Sequence, residues 1–354
     1  MSVDATALAR RQVTTRRPSV PWLVGALGLL AGALVIGVAV GPIEIGALRI
    51  VQAAAARLPF VDASSPLTAA EEAIVFELRL PRVVLGALVG AMLASAGAAF
   101  QGSFRNPLAD PYLLGAAAGA GLGATLAVVY APAGARSVLV PIAAFAGAAG
   151  AVVAAYALGR SAGGRSAASL LLAGVVVASF LTAVQTFVQQ QNVDTVQEVY
   201  SWLLGRLATA GWRDVLMVLP YAVVSAGVLL VHRRLLDVLS VGDEEASALG
   251  IDVRRVRLVV IAAATLGTAA AVAVSGLIGF VGIIVPHTIR LLAGGSYRVL
   301  LPLSLLGGAA FLVLADVLAR TLLAPAELPI GVVTAFCGAP FFALVLRRSR
   351  VVAT

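Results

Sequence analysis

Lysine is absent from this chain of 354 residues, and its 25 side-chain cations, histidine aside, are all arginine. Without lysine there is no Gly-x-x-x-x-Gly-Lys-Ser/Thr phosphate loop, so the chain has no P-loop nucleotide site of its own. Cysteine occurs once, at Cys337 inside a long apolar run. That excludes an intrachain disulfide framework and a cysteine metal site, and the residue reads as a small buried apolar filler. His232 and His287 are the only histidines. Two isolated imidazoles do not build a coordination sphere, so no metal ligand is expected among them. His232 instead stands beside Arg233 and Arg234 at a helix end, where cations meet the negative end of the dipole, and His287 follows Pro286 and reads as a packing or capping residue.

What the chain has is apolar length, with 60% of its residues hydrophobic. A hydrocarbon core of about 30 Å needs about 20 helical residues at about 1.5 Å each. Ten runs approach that length: Val20–Val40, Val83–Gln101, Leu113–Tyr130, Val138–Leu158, Ala167–Val188, Leu216–Val231, Val256–Leu277, Ile278–Leu292, Leu300–Leu318 and Ile330–Leu346. They are continuous rather than alternating, which favours helices over barrel strands. The fold class is therefore an all-α polytopic membrane protein. The eighth run is short and interrupted by Gly279, Gly282 and Pro286, so a broken or tilted helix is expected there.

The arginines then report sidedness. Seventeen fall in one set of loops and tails: Arg10, Arg11, Arg16, Arg17, Arg105, Arg160, Arg165, Arg233, Arg234, Arg254, Arg255, Arg257, Arg290, Arg298, Arg347, Arg348 and Arg350. Eight fall in the other: Arg49, Arg57, Arg79, Arg82, Arg136, Arg206, Arg213 and Arg320. The positive-inside rule makes the first set cytoplasmic, with both termini inside. The formal charge of +8 is thus read as topology rather than nucleic-acid affinity. No cleavable signal peptide is expected, because the first run is as long as a full span and no small-residue cleavage site follows it. The division is a cytoplasmic tail over 1–19, one ten-helix domain over 20–346 and a second cytoplasmic tail over 347–354.

Two outer segments, Gly41–Arg82 and Gln189–Arg213, are too long to be simple turns. In the second, Val196, Val199 and Leu203 recur at helical spacing among aromatics, which predicts a short surface helix. The inner segment 235–257 contains Asp243, Glu244 and Glu245 followed by Leu249-Gly250. Acids in a first turn complement the helix dipole, and glycine after the last turn suits a left-handed cap. A short helix is expected there, with Ala246 and Leu249 sharing a small, apolar, cytoplasmic face.

Five blocks then appear in order. They are Arg79-Leu-Pro-Arg82; Gln101-Gly-Ser-Phe-Arg-Asn-Pro-Leu-Ala-Asp-Pro-Tyr-Leu-Leu-Gly115; Gly242-Asp-Glu-Glu-Ala-Ser-Ala-Leu-Gly250; Ser275-Gly-Leu-Ile-Gly-Phe-Val-Gly-Ile-Ile-Val-Pro-His-Thr-Ile-Arg290; and Ala315-Asp-Val-Leu-Ala-Arg320 with Glu327-Leu-Pro-Ile-Gly331. From Arg79 to the C-terminus the chain resembles the FecCD-type permeases that import ferric siderophores, haem and cobalamin. That resemblance implies a type II ABC importer permease fold, working as a homodimer on two cytoplasmic ABC ATPase subunits and receiving cargo from an extracytoplasmic substrate-binding protein. It implies a multi-pass protein of a prokaryotic inner or plasma membrane, with no cofactor and no catalytic residue in this chain and with ATP-Mg on the partner ATPase.

Residue by residue, the resemblance maps the ATPase-coupling helix to Gly242, Glu244, Glu245, Ala246, Leu249 and Gly250. It maps binding-protein docking to Arg79, Arg82 and Arg320, whose planar forks suit paired carboxylates; headgroup contact, or pairing of Arg320 with Asp316, is the competing reading. The cytoplasmic gate falls on Asn106 and Leu108, and on Ala167 and Ala168 where relatives often carry hydroxyls but this chain reads Ser166-Ala167-Ala168-Ser169. Gln185 and Gln189, one turn apart, suit either a neutral polar cavity or helix–helix hydrogen bonds.

Two other classes fit less well. An ion-driven carrier needs charge at mid-membrane, and Asp316, near a span end, is the only acid well inside a run. An intramembrane serine protease would draw on Ser275 and His287, but the glycine that should lead its motif is missing. Among cargoes, a ferric siderophore is the first expectation, with cobalamin and haem as alternatives.

Overall fold

A computed structural model describes residues 20–57, 64–161 and 167–351, and among them every regular element is helical. Arg10, Arg11, Arg16, Arg17, Arg165 and Ser166 lie outside the described residues. The helices are α1 (Val20–Ala39), α2 (Ala47–Ala56), α3 (Ala69–Ala73), α4 (Leu80–Phe104), α5 (Ala116–Tyr130), α6 (Arg136–Ser161), α7 (Ala167–Gln191), α8 (Val196–Leu203), α9 (Trp212–Leu239), α10 (Asp243–Ala248), α11 (Val253–Ser275), α12 (Val281–Ala293), α13 (Tyr297–Thr321) and α14 (Ile330–Val351). A π-helical segment, Ile74–Arg79, joins α3 to α4 without a break.

Each of the ten apolar runs coincides with a helix. Among the described residues seven helices are long and apolar enough to cross a membrane, while α2, α5, α12 and the Ile330–Val345 stretch of α14 are shorter apolar helices. The eighth run is the one that departs from an ideal span. Helix α11 stops at Ser275, Gly276 takes φ +69°, and α12 begins only at Val281, after Phe280 at φ +70°. The expected outer helix is α8, whose buried face is Val199 and Trp202. Helix α2 went unforeseen. It is amphipathic, burying Ile50 and Ala53 and exposing Leu48 and Val51.

Burial sorts the spans into inner and peripheral ones. In its most apolar stretch the continuous helix Ala69–Phe104 is 78% buried, against 11% for α1. Helix α4 packs on α9, α11, α12 and α13, and α1 rests mainly on α13. In lipid, helices gain little by exchanging one apolar neighbour for another, so association depends on close packing at small residues. A Cβ added at Gly97 would lie 1.9 Å from the carbonyl oxygen of Gly282, and one at Gly90 would lie 2.2 Å from that of Gly308. Backbones therefore touch where α4 crosses α12 and α13. Buried polar side chains add directed ties: Gln101 Nε2 donates to Gly282 O at 3.1 Å, and Ser225 Oγ donates to Ala263 O at 2.8 Å between α9 and α11.

Contacts also define two ends of the bundle. Arg82 meets Asp316 at one end, hereafter the Arg82 end; Arg257 meets Asp243, and Asp237 accepts from Tyr297 N, at the other, hereafter the α10 end.

The α4 crossing gives a direct test. Gly97→Ala is expected to destabilise the detergent-solubilised protein by about 1–3 kcal/mol, as overpacking does. Gly28→Ala on α1, where a Cβ meets nothing within 4 Å, is expected to be neutral or stabilising. Equal melting shifts for the two variants would contradict this packing account.

Candidate functional site

Helix α10 begins after Gly242 with three acids in its first turn and ends in a glycine cap. Gly250 takes φ +79°, its N–H donates to Ser247 O, and the Ile251 N–H donates to Ala246 O. These two bonds form a Schellman motif, which satisfies carbonyls left open at the helix end. The cap is the one expected from Leu249-Gly250, but the face is not. Ala246 is fully buried and Gly242 is buried, whereas Leu249 is 72% exposed. A six-residue helix lying on a bundle must turn one side inward, and the small Ala246 is that side. Leu249, beyond the last helical residue with ψ near zero, is turned out by the cap.

The exposed surface of this unit is therefore Glu244, Glu245, Ser247, Ala248, Leu249 and Gly250. Asp243 is committed inward: Arg257 Nη2 reaches its two oxygens at 2.8 and 3.1 Å while Arg257 Nε donates to Ser103 O on α4 at 3.0 Å. Arg105, just after α4, also stands 3.8 Å from Asp243, and through Arg257 the first turn of α10 is tied to α4 and α11. This clasp links residues 154 positions apart, and nothing in the local sequence announces it.

At the opposite end the three arginines expected to dock a partner are occupied within the chain. Arg79, 6% exposed, donates to the carbonyls of Val38, Ala39 and Ile43. Arg320, 3% exposed, donates to Gly37 O. Together they cap the C-terminal end of α1, where open carbonyls and the dipole favour cations. The π-helical segment ends on Arg79 and sets its direction. Arg82 pairs with Asp316 at 2.9 to 3.1 Å and with Glu327 at 2.9 and 3.0 Å. Arg320 Nε stands 3.6 Å from Asp316 Oδ2, an ion pair too long for a hydrogen bond. Of the carboxylates, Asp316 is buried and Glu327 is 34% exposed at its side chain.

The expected gate residues sit on a folded loop. Asn106 Oδ1 accepts from Leu108 N at 2.9 Å, closing an Asx turn that leaves Leu108 exposed. The following 3₁₀ turn, Pro111–Leu114, presses its backbone on α7, where a Cβ at Gly174 would lie 2.1 Å from Leu113 O. Ala167 opens α7 and Ala168 is exposed. At the far end of α7, Gln185 is buried against Gly121 of α5, and Gln189 Nε2 is buried without a partner among the described residues. Gln185 thus packs between helices. The loop also reaches α12: Tyr112 Oη donates to Ile278 O at 3.1 Å, and the Asp110 carboxylate lies against Gly282. Burial pushes the Asp110 carboxyl up to about 6, against the lowering effect of the Tyr112 N–H it accepts.

Among the described residues neither histidine joins a group of metal-ligating side chains. His232 Nδ1 is 2.8 Å from Val228 O, and the His287 ring stacks edge-on with Phe341.

A family profile described as the FecCD transport family matches residues 29–348. The cobalamin import system permease protein BtuC of Halobacterium salinarum is 46% identical over 79% of this chain and 75% of the relative. The Fe(3+)-citrate import system permease protein YfmD of Bacillus subtilis is 41% identical over 79% and 83%, and the hemin transport system permease protein HmuU of Yersinia pestis 40% over 78% and 84%. A solved structure described as an inward-facing conformation of a metal-chelate type ABC transporter superposes with a TM-score of 0.79 at 30% identity, covering 93% of this chain and all of that one.

Asp110 supplies a pH test of the loop. Its folded value lies above the usual 3.8, so between about pH 4 and pH 6 the folded chain holds a proton that the unfolded chain has lost. Its contribution to stability therefore declines as pH rises through that window. Asp110→Asn keeps a turn acceptor for Tyr112 N and is expected to flatten this part of the stability profile in detergent melts. An unaltered profile would contradict the assignment.

Proposed function

This chain belongs to the FecCD transport family, and we propose on that premise that it is the transmembrane permease subunit of a binding-protein-dependent ABC importer for a metal chelate. The observation that carries the reading is α10: a capped helix that projects an apolar Leu249 and two free acids at one end of a membrane-crossing bundle, in a chain without lysine. Hydrolysis then belongs to a separate ATPase subunit. In this reading two copies of the chain form the pathway, each on one ATPase, and the α10 end and both termini are cytoplasmic, as the arginine count favours. Ferric siderophore remains the first cargo, with cobalamin and haem as alternatives; relatives named for cobalamin, Fe(3+)-citrate and hemin are of comparable identity. The gate is placed at Asn106, Leu108 and the start of α7.

Contact with the extracytoplasmic binding protein belongs to the Arg82 end. A carboxylate arriving there competes with Glu327, the more exposed of Arg82's two partners, while Arg79 and Arg320 serve chiefly to hold α1. Glu327→Gln should therefore strengthen binding-protein docking at low ionic strength, because rim charges act through screened, long-range attraction. Surface plasmon resonance over reconstituted permease would measure this, and weakened docking would count against Arg82 as the receptor.

Proteoliposomes containing this chain, its cognate ATPase and binding protein should take up chelate only with internal or external ATP on the ATPase side. Uptake by this chain alone under an ion gradient would contradict the assignment. Leu249→Asp is expected to insert normally yet uncouple hydrolysis from transport, since a charge pressed into an apolar contact lacks a partner. Gly250→Val should do the same through backbone strain at φ +79°. Normal transport by Leu249→Asp would remove α10 from the coupling role.

A further inference from the structure

The Arg82 end carries a second group of arginines that no role above uses. The start of α6, helix α8, the 204–211 segment and the start of α9 enclose a cavity of 410 Å³ over the last residues of α11. Arg136, Arg206 and Arg213 line it, together with Glu198 and Asp214. Arg136 is paired with Glu198 at 2.7 Å, and Asp214 accepts the Gly211 N–H at 3.0 Å to close the first turn of α9. Arg206 and Arg213 are exposed, and among the described residues their guanidinium groups have no ion pair. Two forks thus remain unengaged at the mouth of one cavity.

The cavity does not end at these charges. Pro141, Ala273 and Val274 line both it and an adjoining apolar crevice of 170 Å³ between α6 and α9. Phe145 and Tyr221, with ring centroids 5.5 Å apart, bridge that crevice, and Met217 and Val218 form its α9 wall. Around it Leu139, Ile142, Leu216 and Leu219 are exposed, which is the surface a helix presents to lipid chains. Trp212, beside Arg213, is partly exposed and donates to Phe76 O at 2.9 Å, in keeping with an aromatic at the interface level.

We propose that this site binds an anionic phospholipid of the leaflet at the Arg82 end, its phosphodiester between Arg206 and Arg213 and part of one acyl chain in the α6–α9 crevice. Guanidinium forks match phosphate oxygens in pairs, and a membrane phosphate at this depth needs no displacement of an existing ion pair. The crevice separates this occupant from a free phosphate or a protein carboxylate, neither of which has anything to place there. Occupancy would bridge α6, α8, α9 and α11, adding to the Arg136–Glu198 pair and the Arg206 N–H to Ser275 O bond.

Native mass spectrometry of the delipidated full chain in detergent tests this with phosphatidylglycerol, phosphatidylcholine and inorganic phosphate as probes. Wild-type protein should retain one phosphatidylglycerol, at least about tenfold more tightly than phosphatidylcholine, whose choline cation the two guanidinium groups repel. Inorganic phosphate should not displace it. Arg206→Gln with Arg213→Gln should abolish the headgroup preference, and Met217→Trp, which fills the crevice, should weaken retention of both lipids. Equal affinity of wild-type protein for the two lipids would overturn the proposal without recourse to any variant. Displacement by inorganic phosphate would replace it with a simple anion site. Undiminished phosphatidylglycerol retention in the double variant, accompanied by loss of binding-protein docking, would transfer these arginines to protein recognition.

Discussion

The backbone contact between α4 and its neighbours α12 and α13 is the constraint from which the rest of the arrangement follows. At Gly97 and Gly90 the helix axes come so close that no side chain fits between them, so the register of α4 against Gly282 and Gly308 is fixed within narrow limits. In water such a register would be reinforced by expulsion of solvent from apolar surface; between apolar helices in lipid, shape is the main discriminator. With α4 fixed, Arg82 at its start is held beside Asp316 of α13, and Ser103 at its finish is held beside Arg257 of α11.

Charge then marks the two ends of the bundle in different ways. At the Arg82 end, buried arginines are matched by carboxylates and by the open carbonyls of α1, as groups removed from water must be. At the α10 end Asp243 is tied through Arg257 to α4, while Glu244 and Glu245 are exposed. Helix α10 is thus anchored on one side and open on the other, and its Schellman cap satisfies carbonyls at its end.

Much of this was legible in the sequence, because hydropathy over a span length is a strong signal and Gly250 marks a cap by a local rule. The interruption expected within Ile278–Leu292 falls at its start instead, since Gly282 and Pro286 lie inside an unbroken α12 and the chain leaves helix over 276–280. What could not be read were contacts between distant residues. Asp316 looked like a partner for Arg320 one turn away, and geometry gave its better bonds to Arg82, 234 positions earlier. Arg79, apparently a surface cation in a sparsely basic loop, was turned inward by a π-helical segment whose extra residue per turn leaves no compositional trace. Ala246 and Leu249 were separated because the helix ends between them, and boundaries of a residue or two are what local patterns fix least well. The amphipathic helix α2 was available in the spacing of Ile50 and Ala53 but lay hidden in a loop judged only by its length.

The central claim is that the open side of α10 is where an ATPase subunit sits. Cross-linking tests it most directly, with Leu249→Cys in a Cys337→Ser background carrying a photoreactive label in the assembled transporter. The account predicts adducts with the ATPase from position 249 and none from Ser65 at the Arg82 end. ATPase adducts from Ser65→Cys, with none from position 249, would contradict both the coupling role and the orientation of the chain.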